Sequence, residues 1–283
     1  MKFVFVGNRR FVLEEMLKKN VNISKVLVIA NTHLEKDIKE MDVFFSIIHS
    51  KDELLKELTR IDFDILIANG CPYILPISKM PPKKYVNIHP SYLPDLKGAD
   101  PTIGSIMFER DSGATCHIMN DGIDSGDIID QVKIPYTDDL DVSLLYQLSF
   151  IAEKKVFSLA YEKGFIPQKK QVKKEGLIYY SRKLEDKQLS FKKSIEEMNR
   201  QIRAFQNKSQ GCEFNFKGII YKVHQMEILN NPFLIEYAYY FSEFQVILNY
   251  EDCIVFKKGD NLILLRSFTD NLSAISVGKF ISQ

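Results

Sequence analysis

Continuous apolar, β-branched runs recur through the first 90 residues, at Phe3–Val6, Val26–Ala30, Val43–Ile48 and Phe63–Ala68. Runs without polar alternation are the pattern of strands buried on both faces of a parallel sheet. Between them lie Arg9–Lys19, Leu34–Glu40 and Lys51–Thr59, charged and mixed as surface helices are. Strand and helix alternating at this spacing predict an α/β sheet with right-handed crossovers. After Gly70 the texture changes to a proline-rich stretch reaching Pro101, the composition of long, rigid loops beside a sheet. Ser143–Glu162 reads as one long helix closing a first domain. The lysine-rich Lys163–Lys193 shows little apolar periodicity beyond Leu177–Tyr180 and reads as a connection. Ile195, Met198, Ile202 and Phe205 then sit at helical spacing. Four β-type runs follow, Gly218–Leu229, Phe233–Leu248, Cys253–Phe256 and Leu262–Phe268, predicting a small antiparallel barrel or sheet. The expected division is residues 1–180, a catalytic domain, and residues 181–283, a helix plus a small β domain.

Composition narrows the class. A chain of 283 residues, 45% hydrophobic, has enough apolar residue to build cores, which excludes wholesale disorder. Lys and Arg number 38 against 37 Asp and Glu, so no global field draws in nucleic acid or an anionic membrane. Four scattered cysteines without a CxxC pair fit reduced thiols. The apolar run before Gly7 is too short for a signal-peptide core, and no run reaches membrane-spanning length. A soluble, cytoplasmic protein with no membrane partner is expected.

Three places carry chemistry. Gly7 is the only glycine before Gly70, so the dinucleotide-binding GxGxxG turn is absent. Gly7-Asn8 is either a strand-to-helix turn with Asn8 as N-cap, or a phosphate site formed with Arg9. Asn87 and His89, two apart at the end of a strand, share one face. An amide donor beside an imidazole suits acyl transfer, and equally suits a hydrogen-bonded structural pair. Asn120–Asp127 reads as an acidic turn. An EF-hand reading lacks its terminal glutamate, and a third reading has one aspartate setting the protonation of the histidine.

Asn87-Ile88-His89-Pro90-Ser91-Tyr92-Leu93-Pro94, followed by Gly98 and by Ile123-Asp124-Ser125-Gly126, resembles the signature of the folate-dependent formyltransferases. Gly70–Pro76 is similar to that family's pterin-binding loop, and Thr115-Cys116-His117 to its Thr-x-His strand. The resemblance implies a Rossmann-like, mostly parallel sheet followed by a smaller, mainly-β, barrel-like domain. It implies 10-formyltetrahydrofolate as formyl donor, a primary amine as acceptor and no metal. The Asn/His/Asp triad falls on Asn87, His89 and Asp124. Asn87 and a protonated His89 would stabilise the oxyanion, and Asp124 would hold His89 and relay the amine proton. Thr115 and His117 would support the triad from behind. Main-chain groups of Tyr73, Ile74 and Leu75, and of Asn120, Asp121 and Ile123, would hold the pterin.

The segment Ser194–Phe205 with Gly211 is similar to the start of the C-terminal domain of the tRNA enzymes and of some sugar enzymes. From Ser181 onward 14 Lys and Arg face 12 Asp and Glu, a weak balance for neutralising tRNA phosphates. The stretch Ala30–Met41 is short and mixed in sign, without the long basic insertion of those enzymes. The favoured acceptor is therefore an amino-deoxy sugar on a nucleoside diphosphate, in lipopolysaccharide or glycan biosynthesis. Initiator methionyl-tRNA is the alternative, and a non-catalytic binding module a further one. Asn8, Arg9 and Lys97 are the candidate substrate contacts. The aromatic Tyr237, Tyr239, Tyr240, Phe241 and Phe244 would form the barrel core or stack a base. Phe233–Phe244 would close the barrel or pair the subunits of a homodimer.

Overall fold

In the computed structural model the described residues are 1–172, 174–267 and 272–281. Their contacts divide the chain into two units. The first takes Met1–Ser105, Arg110–Tyr136 and Tyr146–Ser181, and the second takes Ile106–Glu109, Thr137–Leu145 and Arg182 onward.

In the first unit, strands β1 (Phe3–Gly7), β2 (Ile23–Ile29), β3 (Phe45–Ile48), β4 (Ile65–Asn69), β5 (Lys84–His89), β6 (Ser112–Ile118) and β7 (Ile128–Ile134) form one sheet. Its order is β3-β2-β1-β4-β5-β6-β7. β1, β2, β3, β4 and β5 pair in parallel, while β6 runs antiparallel to both β5 and β7. Helices α1 (Arg10–Lys18), α2 (His33–Asp37), α3 (Lys51–Arg60), α4 (Pro101–Met107) and α5 (Val142–Glu162) lie between or after the strands. The apolar runs are continuous because alternate residues feed two different cores. Phe3, Phe5, Val26, Val28, Ile65 and Ile67 pack with Val12, Leu13 and Met16 of α1 and with Val156, Phe157 and Ala160 of α5. Val4, Val6, Leu27, Ile29, Leu66 and Ala68 pack with Leu54 and Leu58 of α3. The start of α3 is fixed by Ser50, whose hydroxyl accepts from the Glu53 N–H at 3.2 Å.

Asn8 does not cap α1. The residue preceding the helix is Arg9, with no side-chain cap, and the Asn8 N–H donates instead to the Asn69 carbonyl at 3.2 Å. That bond ties the carboxyl ends of β1 and β4 together, where the strand order reverses.

The second unit contains α6 (Ile195–Phe205), whose Ser194 and Glu197 form a reciprocal capping box. A hairpin of β8 (Cys212–Phe216) and β9 (Ile219–Val223) follows. A separate four-stranded antiparallel sheet has the order β10-β13-β12-β11, from β10 (Gln225–Leu229), β11 (Val246–Tyr250), β12 (Cys253–Lys258) and β13 (Asn261–Arg266). Of the two forms expected, the sheet is the one observed. Phe268, at the end of the last expected strand, lies outside the described residues. The expected run Phe233–Leu248 is not one strand: it opens as helix α7 (Pro232–Tyr237) and a 3-10 turn, with only its end in β11. The reason is local. The Asn231 carboxamide accepts from the Leu234 N–H at 3.2 Å, and Pro232 occupies the first helical position, where its missing N–H costs nothing. Nor do its aromatic rings all build the core: Tyr239 and Tyr240 are 83% and 82% exposed, and Tyr237 is exposed as well.

Among the described residues no helix is long and apolar enough to cross a membrane. Phe157, fully buried with rings of Tyr161 and Phe165 at 5.9 and 6.0 Å, is a keystone of the first core. Phe157→Ala is expected to destabilise this unit by about 3–5 kcal/mol, read from urea unfolding.

Candidate active site

A cavity of about 390 Å³ opens at the carboxyl ends of β1, β4 and β5, beside the reversal of strand order. This is where open α/β sheets place ligands, and the volume suits a small molecule. Its wall includes Asn8, Arg9, Tyr73, Ile74, Leu75, Asn87, His89, His117, Asn120, Ile123 and Asp124. Three expected residues are not on it. Asp121 turns its carboxylate to the Ser78 N–H at 3.0 Å. Lys97 engages the chain near residue 178, its N–H donating to the Ile178 carbonyl at 3.1 Å. Thr115 is buried behind the wall: its hydroxyl donates to the Ser91 carbonyl at 2.7 Å and accepts from the Leu93 N–H at 3.1 Å, which holds the loop after β5.

The register of β5 against β6 sets Asn87 opposite His117 and His89 opposite Thr115. The loop after β6 brings Asp124 onto the same group. Its Oδ1 lies 3.6 Å from His89 Nδ1, 3.7 Å from His117 Nε2 and 3.4 Å from Asn87 Nδ2. Acceptor partners fix both imidazole tautomers. His89 Nε2 faces the Leu96 carbonyl at 3.1 Å and must carry hydrogen there, so His89 Nδ1 is the nitrogen free to take a proton. His117 Nδ1 faces the Ile118 carbonyl at 2.9 Å, which leaves His117 Nε2 to accept from Asn87 Nδ2 at 3.2 Å. At rest, both hydrogens of the Asn87 amide therefore point at partners, the His117 one being shorter.

Burial opposes ionisation of Asp124, yet the positive charge His89 carries when protonated, hydrogen bonding and charge from His117, and the Gly98 N–H outweigh it and hold its pKa at about 2. The Gly98 N–H reaches Asp124 Oδ2 at 3.1 Å. Only glycine serves there: φ is +108°, and a Cβ would stand 2.4 Å from the Tyr180 carbonyl oxygen. His89 is shifted as well: burial lowers its pKa below the ordinary histidine value, against the pull of Asp124.

Several parts of the site carry no signal in the sequence. Glu153, fully buried on α5, pairs with Arg9 Nη1 at 2.9 Å, and the Arg9 guanidinium lies 5.2 Å from the Phe150 ring centroid. Arg9 thus reaches the cavity with a buried carboxyl as its partner. Tyr179, 56% exposed, also lines the cavity, from a segment read as a connection. Cys71 is on the wall too, but burial pushes its thiol up to about 11, so it is no thiolate nucleophile at neutral pH. Among the described residues no group of His, Cys, Asp and Glu could hold a metal ion.

Residues 6–161 match a family model described as formyl transferase. The methionyl-tRNA formyltransferase of Koribacter versatilis is 32% identical over 184 residues, 63% of this chain and 59% of that protein. That of Bartonella tribocorum is 34% identical over 163 residues, 55% of this chain and 51% of that protein. The chain thus spans less than two thirds of the length of these relatives. Among solved structures, WlaRD, a sugar 3N-formyl transferase crystallised with dTDP and 5-N-formyl-THF, has a TM-score of 0.70 at 20% identity, covering 96% of this chain and 99% of its own. An N-formyltransferase from Helicobacter canadensis, in complex with folinic acid and dTDP-3-aminofucose, has a TM-score of 0.70 at 21% identity, covering 95% and 100%. At those identities the likeness establishes a shared fold.

The electrostatics predict a titration. His89 should lose its proton below the ordinary histidine pKa, and Asp124→Asn, by removing the charge that favours the imidazolium, should lower it further. Ring-carbon NMR across pH reads both; an unmoved His89 in Asp124→Asn would show the two groups uncoupled.

Proposed function

The chain belongs to the formyl transferase family, and we propose that it carries a formyl group from 10-formyltetrahydrofolate to the primary amine of an amino-deoxy sugar on a nucleoside diphosphate. The observation that carries the reading is Asp124 Oδ1 within 3.4–3.7 Å of Asn87, His89 and His117 on one cavity wall. The cavity fits such a donor: beside the polar group it offers the Tyr73–Leu75 segment and Ile123, with Ile74 and Ile123 both exposed apolar side chains. A flat heteroaromatic ring takes apolar walls, while its polar edge takes main-chain groups. When bound, the folate supplies a formyl carbon open to attack by an amine.

The chain's own residues then divide the work. His89 Nδ1, bare in the resting tautomer, takes the proton that the attacking amine sheds, and Asp124 stabilises the imidazolium that results. Asn87 turns an N–H toward the oxygen on which charge develops, giving up the longer 3.4 Å bond to Asp124 rather than the 3.2 Å bond to His117. His117 keeps the Asn87 amide facing inward. Once proton and charge have passed, His89 returns the proton to the departing nitrogen.

The sugar nucleotide is favoured because the sugar formyltransferase structures parallel nearly the whole chain, second unit included. The methionyl-tRNA relatives are matched over 51–59% of their own length. The second reading, methionyl-tRNA, rests on those relatives being 32–34% identical. The proposal places the enzyme in the cytoplasm, in lipopolysaccharide or glycan biosynthesis.

Mass spectrometry of amino-deoxy sugars on dTDP, UDP and GDP, beside charged initiator tRNA and an amine-free control, tests the reading. One formyl group gained on a nucleotide sugar is the expected result. Transfer to tRNA alone would replace it with the second reading, and donor consumption without amine would mean hydrolysis. His89→Asn and Asp124→Asn should stay folded and lose roughly 10²–10⁴-fold in kcat, the usual weight of a general acid or base.

A further inference from the structure

Asp124 sits at the tip of a loop, in a backbone conformation that favours glycine: its φ is +46°. The loop is knitted internally by Asn120, whose Oδ1 accepts from the Gly122 N–H at 3.0 Å and the Ser125 hydroxyl at 2.8 Å. From outside, one side chain reaches the carbonyls of residues 124 and 126. Gln171 Nε2 donates to the Asp124 carbonyl at 3.0 Å and to the Gly126 carbonyl at 2.7 Å. Two acceptors fix which end of the amide faces the loop. They leave Gln171 Oε1 buried with no partner among the described residues, so the side chain is held there by its two donated bonds.

The segment bearing Gln171 is anchored on both sides. Before it, the Ile128 N–H donates to the Lys169 carbonyl at 2.7 Å. After it, the Ile178 N–H donates to Asp95 Oδ1 at 2.7 Å, and the Tyr180 N–H to the Lys97 carbonyl at 2.8 Å. The second anchor lies one residue from Gly98, whose N–H holds the Asp124 carboxylate. We propose that Gln171 is a positioning residue for the reaction: through the Asp124 and Gly126 carbonyls it holds the Asp124 carboxylate against His89. The inference rests on the reading of Asp124 as the partner of His89, and deepens it. The stretch that appears in the sequence as a lysine-rich connection is thereby part of the site.

Gln171→Leu and the near-isosteric Gln171→Met remove both donors and add no charge. The readout is the His89 pKa in the ligand-free protein, followed by ring-carbon NMR. Facing His89 are the charged or titratable groups of Asp124, His117 and Arg9; only the position of Asp124 should change. Losing its hold removes the influence that favours the imidazolium, so the His89 pKa should fall in either variant, with the melting temperature little changed. In an Asp124→Asn background the same substitution should produce no further fall, because Gln171 acts through Asp124. In the formylation assay kcat should drop by on the order of 10²-fold, the cost of a roughly 1 Å misplacement, with the donor KM nearly unchanged. A folded Gln171→Leu or Gln171→Met protein with the wild-type His89 pKa would overturn the proposal, whatever substrate the enzyme takes. Failure of Asp124→Asn itself to move His89 would overturn the pairing on which it rests.

Discussion

Burying a carboxylate beside histidines is expensive, and most of the site can be understood as what makes Asp124 affordable there. Its oxygens face the Gly98 N–H, the Asn87 amide and two imidazole nitrogens. Three of these partners are fixed in turn by something chemically inert: His89 by the Leu96 carbonyl, His117 by the Ile118 carbonyl, Gly98 by its close approach to Tyr180. The consequence is a polarity arranged before substrate arrives. The carboxylate is held ionised while burial disfavours the charged form of the His89 ring beside it, so a proton taken up by the ring is countered by Asp124 and is readily passed on.

The sheet supplies the position. Reversal of strand order between β1 and β4 leaves a gap at their carboxyl ends, and the Asn8 N–H to Asn69 carbonyl bond closes its floor. Asn69 also reaches across to β5, its Nδ2 donating to the Ile88 carbonyl at 3.1 Å, between the two catalytic candidates. Burial raises the Glu153 carboxyl, with the Arg9 guanidinium as its counterion. Arg9 is one of the charges that bear on His89, so an ion pair deep in the fold contributes to the resting state of the proposed base.

What the sequence could disclose follows from how locally each feature is encoded. Runs such as Phe3–Val6 give the parallel strands because burial on two faces leaves no room for polar alternation. Asn87 and His89 are legible as a pair because a strand's period of two is local. Asp124 is harder: Asp121, Asp124 and Asp127 share one turn, and only the family resemblance separates them. The structure gives a physical reason, since Asp121 is spent on Ser78 and Asp124 faces the imidazoles. Glu153 and Gln171 were invisible, one being another charge on a long helix and the other a polar residue among lysines. Their roles depend on partners 144 and 47 positions away, Arg9 and Asp124. The run at Phe233 misled because its apolar content outweighed the Asn231-Pro232 start signal preceding it.

That distribution of charge also bears on the acceptor. Of the described lysines and arginines, only Arg9 is on the cavity wall, and it is paired with Glu153. On the reading proposed above, a phosphate-bearing acceptor would draw its further cations from beyond this wall, leaving the cavity to the chemistry of amine and formyl group.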